Sequence, residues 1–158
     1  MPHHKKRRSL TEIVWVELAG SVHATENLEK VLAAFQNLLP PTIENTAIKQ
    51  TAFSGHHGNP VIFLNLRIEK TDQIFNFLTN LVSRFSPMDK QKLTSEFIER
   101  IDKDNIFYMK VDKQKAYLDE AILAQGDNII LIKIKFKQYI KNFEKIKEKL
   151  ADLGLIEA

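Results

Sequence analysis

The stretch that most constrains this chain runs from Phe53 to Lys70: Phe-Ser-Gly-His-His-Gly-Asn-Pro, then Val-Ile-Phe-Leu-Asn-Leu-Arg-Ile-Glu-Lys. Gly55 and Gly58 permit backbone angles that other residues resist. Pro60 has a fixed φ and no N–H, so it suits the first position of a strand and not its middle. From Val61 to Glu69 the pattern has a period of two. Ile62, Leu64, Leu66 and Ile68 form an inner face, and Phe63, Asn65, Arg67 and Glu69 the other. A tight loop at the mouth of a half-buried strand needs a sheet around it.

Other segments supply that sheet. Residues 13–22 alternate, with Val14, Val16, Leu18, Gly20 and Val22 on one side of a first strand. Asn27 is the expected N-cap of a helix carrying Leu28, Val31, Leu32, Phe35, Leu38 and Leu39, ended by Pro40-Pro41. A weaker strand is expected over 43–53. Thr71 is expected to cap a helix with Ile74, Phe77, Leu78, Leu81 and Phe85 on its core side. Ser86-Pro87 starts another, which buries Leu93, Phe97 and Ile101. Residues 106–111 read as a short strand and 112–117 as a turn or one helical turn. Glu120 to Gln125 and Ile129 to Lys137 read as a hairpin across Gly126-Asp127-Asn128. A last helix carries Ile140, Phe143, Ile146, Leu150 and Leu153. This order predicts an α+β fold: a two-layer sandwich with a mostly antiparallel mixed sheet and helices on one face. The expected divisions are a flexible basic arm over 1–10, a single domain over 11–137, and an amphipathic helix over 138–158 that packs on the domain or on a partner.

The 158 residues, 44% apolar and 27% charged, suit one globular domain with a real core. No apolar run is long enough to span a bilayer, and the N-terminus has no signal-peptide core. Cys is absent, which excludes disulfides and thiolate metal sites and fits the cytoplasm. Lys5, Lys6, Arg7 and Arg8 carry four of the positive charges behind a net +3, so the remainder stands at −1. Within that remainder, Leu131–Leu150 holds seven lysines against Glu144 and Glu148. Basic character is therefore local, and local charge can steer a polyanion.

Lys133, Lys135 and Lys137 are the strongest physical signal. Alternate residues on a strand share a face about 7 Å apart, and like charges so placed do nothing for folding. They read as a phosphate-contacting face, or as a solvated or protected edge. Tyr108, Tyr117 and Tyr139 are the aromatic residues that could stack bases nearby. His23 and Thr25 sit where a helix N-terminus could hold a phosphate or simply satisfy local hydrogen bonds. His56 and His57 point in opposite directions in extended chain and have no HExxH or carboxylate partners, so no metal or other cofactor is expected. A hydrolase using His57 and Asn59 would lack a nameable nucleophile, and catalysis is not expected.

Taken together, four segments look familiar: Val22-His23-Ala24-Thr25-Glu26-Asn27, the Gly55–Pro60 loop, Ser86-Pro87, and Asn105–Tyr108 followed by Asp112-Lys113-Gln114-Lys115-Ala116-Tyr117. In this order and spacing they resemble an archaeal family of RNA-binding proteins, also called predicted exosome subunits, over residues 12–137. The resemblance implies a sandwich similar to a large-subunit ribosomal protein that contacts 5S ribosomal RNA, and an RNA-related role. The basic arm and the helix after Lys137 look like additions to the family pattern.

The expected function is non-enzymatic RNA binding, associated with RNA processing or degradation. Lys133, Lys135 and Lys137 would contact phosphates, with Lys110, Lys113 and Arg67 as accessories. His56, His57 and Asn59 would form a loop contact, and Tyr117 a stacking platform. The alternative is a protein-interaction subunit or homodimer that docks through the last helix or the open sheet.

Overall fold

The first alternating strand of the sequence lies at the centre of the sheet. In the computed structural model, which describes residues 10–54, 58–124 and 126–157, strand β1 (Ile13–Val22) pairs on one edge with β3 (Pro60–Ile68) and on the other with β5 (Ile129–Phe136). β2 (Lys49–Ser54) adds to β3 and β4 (Ile106–Asp112) adds to β5, giving the order β2-β3-β1-β5-β4 with every pairing antiparallel. The described helices are α1 (Leu28–Leu38), α2 (Thr71–Arg84), α3 (Pro87–Ser95), α4 (Phe97–Arg100), α5 (Lys113–Tyr117) and α6 (Phe143–Leu153), with a 3-10 turn at Asn45–Ala47. The predicted two-layer α+β class, with helices on one face, is the one observed.

Alternation sets the layers. Val16, Leu18, Leu64, Leu66, Ile68, Phe107, Met109, Ile130, Ile132, Ile134 and Phe136 are buried on the side where Phe35, Phe77, Leu81 and Leu93 of the helices enclose them. Gly20 lets α1 lie close on the sheet: a Cβ on it would stand 3.2 Å from Cζ of the fully buried Phe35, which would have to give by a few tenths of an ångström. Asn27 caps α1 by accepting from the Lys30 N–H, and Ser86 caps α3 by accepting from the Asp89 N–H. α6 buries Ile146, Leu150 and Leu153 in the same core, and its last turn ends at Gly154 (φ 88°) beside Val82 of α2. Three buried side chains at about 1.5–3 kcal/mol each explain why this helix sits on its own domain.

Several expectations were wrong in detail. The predicted hairpin partner over 120–125 does not pair with β5, whose two edges are filled by β1 and β4. That segment instead lies along the outer edge of β4, with a Val111–Leu123 bridge and the Ala124 N–H donating to the Lys110 carbonyl at 2.9 Å. An Ile101–Phe107 bridge covers the other end of the same edge. β1 is bulged near Val14, so Ile13 is buried and Val14, expected inside, is 41% exposed. The weak strand over 43–53 shortens to β2, whose six residues are all exposed because only β3 flanks it. Thr71 begins α2 and does not cap it; Lys70 takes that position without a side-chain hydrogen bond. Lys137 follows β5, Ile140 is buried ahead of α6, and Leu10, expected in a flexible arm, packs in the core.

Candidate nucleic-acid interface

The sheet face opposite the helices is built from the other half of each alternating pattern. Its central row runs across four strands in direct register: Arg67 on β3, Glu17 on β1, Lys133 on β5 and Tyr108 on β4. Cross-strand neighbours of this kind have Cβ atoms about 5 Å apart, close enough to interact. Arg67 donates from Nε and Nη2 to Glu17 Oε2 at 3.1 and 3.0 Å, and the Lys133 ammonium stands 3.8 Å from Glu17 Oε1. Lys133 also lies over the Tyr108 ring, 5.9 Å from its centre. Next to this row Trp15 is opposite Lys135, and Lys110 is opposite Leu131, diagonal to Lys133.

Lys133, Lys135 and Lys137 are therefore not three bare charges. Glu17, whose side chain is only 10% exposed, sits between Arg67 and Lys133 and relieves the repulsion between them. The sequence reading missed it because Glu17 looked like one more outward residue of β1. Lys135 donates to the Asp104 carbonyl and to Gln138 Oε1 at 2.8 Å. Lys137, exposed, stands over Tyr139, 5.9 Å from the ring centre. Tyr139 in turn donates to Glu12, and that hydrogen bond is the largest of the causes holding the Glu12 carboxyl below its ordinary value, against a smaller opposing effect of burial.

Tyr108 is fixed at both ends. Its hydroxyl donates to Asp102 Oδ2 at 2.6 Å, and this bond, with lesser help from burial, pushes the phenol up to about 12. Burial would raise Asp102, but the Tyr108 hydroxyl and the N–H groups of Ile106 and Asp104 outweigh it and hold the carboxyl below its usual range.

The remaining predicted residues lie elsewhere. Lys113 is buried in the helical layer, where its ammonium donates to the Ser21 carbonyl at 2.7 Å and to both oxygens of Glu26. That ammonium is occupied, so Lys113 is a structural cation and no free phosphate contact. Tyr117 ends α5 against α1, where Asn37 donates to its carbonyl and Lys30 lies over its ring at 5.7 Å. With Thr25, Asn27 and Gln114 it lines a cleft of about 280 Å³ in the helical layer, away from the lysine row. Asn59 is exposed just before β3, eight residues from Arg67 along the strand, about 26 Å at strand rise. His56, His57 and the basic arm from Lys5 to Arg8 lie outside the described residues. Among those described, no group of three or more His, Asp or Glu is placed to hold a metal ion.

A family model described as RNA binding matches residues 15–136, which span all five strands of the sheet. The chain belongs to this RNA-binding family. It is 35% identical over 126 residues to the RNA-binding protein PAB1135 of Pyrococcus abyssi, covering 78% of this chain and 82% of that one. An uncharacterised protein of Methanocaldococcus jannaschii is 34% identical over 143 residues, 87% of this chain and 95% of that one. The crystal structure of protein AF2318 from Archaeoglobus fulgidus, of the family DUF54, superposes with a TM-score of 0.78 at 34% identity, covering 89% and 99% of the two chains. No described helix of this RNA-binding family member is long and apolar enough to cross a membrane.

Proposed function

We propose that the chain binds RNA, without catalysing a reaction, across the open face of its sheet. The observation that carries this reading is the Arg67–Glu17–Lys133–Tyr108 row, with Lys135 and Lys110 beside it, on the face that no described helix covers. Cations interleaved with aromatic rings suit a polyanion that carries π faces, which is the chemistry of RNA. Membership of the RNA-binding family and the likeness to the RNA-binding protein of Pyrococcus abyssi support the same partner. Lys133, Lys135 and Lys137 are the phosphate contacts in this reading, with Lys110 beside them. His56, His57 and Asn59 are at most an outlying contact at the far end of β3. A place in RNA processing or degradation rests on the family resemblance, and pull-down from a native lysate is its test.

Titration of labelled structured and single-stranded RNA at several salt concentrations tests the binding itself. Affinity should fall linearly in log K against log salt, by about 0.7 per phosphate contact for single strands. A combined Lys133→Ala, Lys135→Ala, Lys137→Ala variant, checked for folding by circular dichroism, should bind far more weakly and with a shallower slope. Absence of binding at low salt, or indifference to the triple change, would sink the reading.

One observation favours a second reading, pairing of two copies through β2. All six β2 residues are exposed, Phe53 at 56%, and the run Gln50–Ser54 carries no charge, whereas the outer edge of β4 is bridged at both ends. Bare strand edges are templates for pairing. Light scattering after size exclusion should show a dimer that Thr51→Pro disperses; a monomer at high concentration removes the idea.

A further inference from the structure

Arg67 differs from the lysines of the open face in what already holds its charge. Its Nε and Nη2 both donate to Glu17 Oε2, and its guanidinium carbon stands 4.2 Å from the centre of the Trp15 ring. The side chain is nevertheless 46% exposed. The guanidinium thus lies over the indole and is held by a carboxylate, while nearly half of the side chain stays open to solvent. The Nε–Nη2 edge, one of the two forks that can grip phosphate in a bidentate pair, is taken here.

A planar cation locked in this way is a stacking surface. Nucleobases stack on guanidinium planes as they do on aromatic rings, and a guanidinium fixed beforehand loses little freedom on binding. The same face of β3 continues the pattern. Asn65 and Phe63 lie two and four residues before Arg67, Phe63 is 40% exposed, and Asn65 is half-buried between them. An aromatic ring, an amide able to pair with a base edge, and a stacked guanidinium then follow one another at about 7 Å intervals. Lys133 stands two strand spacings from Arg67, about 10 Å, where the backbone of the same strand of nucleotides can reach it.

We propose that Arg67, seated on Trp15 and held by Glu17, is a base-stacking platform, and that the RNA taken by this face is an unpaired single strand. This rests on the RNA-binding reading and sharpens it. A duplex offers no free base faces, because its bases are stacked inside and its readable groove is filled with hydroxyls and edges.

The test compares a labelled ten-nucleotide single strand with a duplex of equal length in anisotropy titrations, using wild type, Arg67→Lys and Lys133→Ala. Trp15 is the one tryptophan in the chain, so its emission reports on the platform directly. Wild type should bind the single strand at least ten-fold tighter than the duplex and change its Trp15 emission at saturation. Arg67→Lys keeps the charge but not the plane. It should lose roughly ten-fold in single-strand affinity, the scale of one stacked base, with the salt slope unchanged. Lys133→Ala should instead flatten that slope by about one contact. Equal affinity for strand and duplex, unmoved Trp15 emission, or an Arg67→Lys variant that binds like wild type overturns the platform. If Lys133→Ala still acts in that case, RNA binding itself survives. If neither RNA binds wild type at low salt, both readings fall.

Discussion

Arg67 Nη2 and Glu17 Oε2 meet at 3.0 Å across β3 and β1, while the other oxygen of the same carboxylate stands 3.8 Å from the Lys133 ammonium. One acid serves two cations at the centre of an otherwise basic row. A phosphate arriving at Lys133 must therefore compete with Glu17.

Glu17→Gln removes the charge and keeps an oxygen that can accept from Arg67. Lys133 is then released to contact RNA. The variant should bind single-stranded RNA more tightly at low salt, because Lys133 meets its phosphate without a competing carboxylate. Equal affinities for variant and wild type, measured by anisotropy at low salt, would show that the carboxylate does not compete.

Lys113 was read from the sequence as an accessory contact, and the structure gives it a different role. Its side chain is 6% exposed and paired with Glu26, whose own side chain is 23% exposed. Burial pushes the Glu26 carboxyl up, but the His23 N–H and the Lys113 ammonium outweigh it, leaving the folded value below the ordinary one. A depressed carboxylate stabilises the fold above its unfolded pKa, and that contribution is lost as pH falls through the folded value. Lys113→Met should cost about 1–3 kcal/mol at pH 7, less than a fully buried pair because Glu26 keeps some water. Its acid unfolding below about pH 4.5 should also be less steep. RNA affinity should not change. Urea melts at pH 7 and pH 4 together with one RNA titration decide the matter, and a loss of RNA binding in a stable variant would return Lys113 to the interface.

The sequence made the layers legible and left the site half-read. Period-two patterning placed Ile132, Ile134, Leu64 and Leu66 inside correctly, because one buried face of a strand imposes strict alternation. The same patterning put Lys133 and Arg67 on the other face. What it could not supply was strand order. Glu17 lies between Arg67 and Lys133 only because β1 lies between β3 and β5, a relation between residues 17, 67 and 133 that no local pattern encodes. Strand order also misled the reading of 120–125, whose Ala121 and Leu123 have strand-like spacing but pack beside β4. Lys113 escaped for a related reason: Ser21 and Glu26, its partners, are about ninety positions away in the chain.

The Tyr108 hydroxyl has an alkaline consequence. Its hydrogen bond to Asp102 raises the phenol from the ordinary 10.0 to about 12. A raised folded pKa means a contribution fully present below about pH 10 and lost as pH climbs towards 12. Absorbance titration at alkaline pH should show a late-ionising tyrosine that disappears in Tyr108→Phe, and the variant should lose less stability than wild type between pH 10 and 12. If the Tyr108→Phe titration keeps every late component, Asp102 does not hold this phenol. Because the ring stays in place beneath Lys133, RNA affinity at pH 7 should change less than three-fold.

Asn105 ties the end of the lysine strand to the rest of the domain. It is 3% exposed and sits at φ 59°, a left-handed conformation that Asn tolerates better than most residues. Its amide Nδ2 donates to the carbonyls of Lys137 and Ile140, at 3.0 and 2.7 Å, and so fixes the segment that carries Lys137 and Tyr139. Asn105→Ala removes both hydrogen bonds and adds backbone strain, for an expected loss of about 2–4 kcal/mol. Asn105→Gly removes the same hydrogen bonds without the strain, so it should recover about 1 kcal/mol of that loss. Urea denaturation separates the two contributions. If alanine and glycine variants are equally unstable, the left-handed backbone carries no cost here and the side-chain amide alone holds the turn.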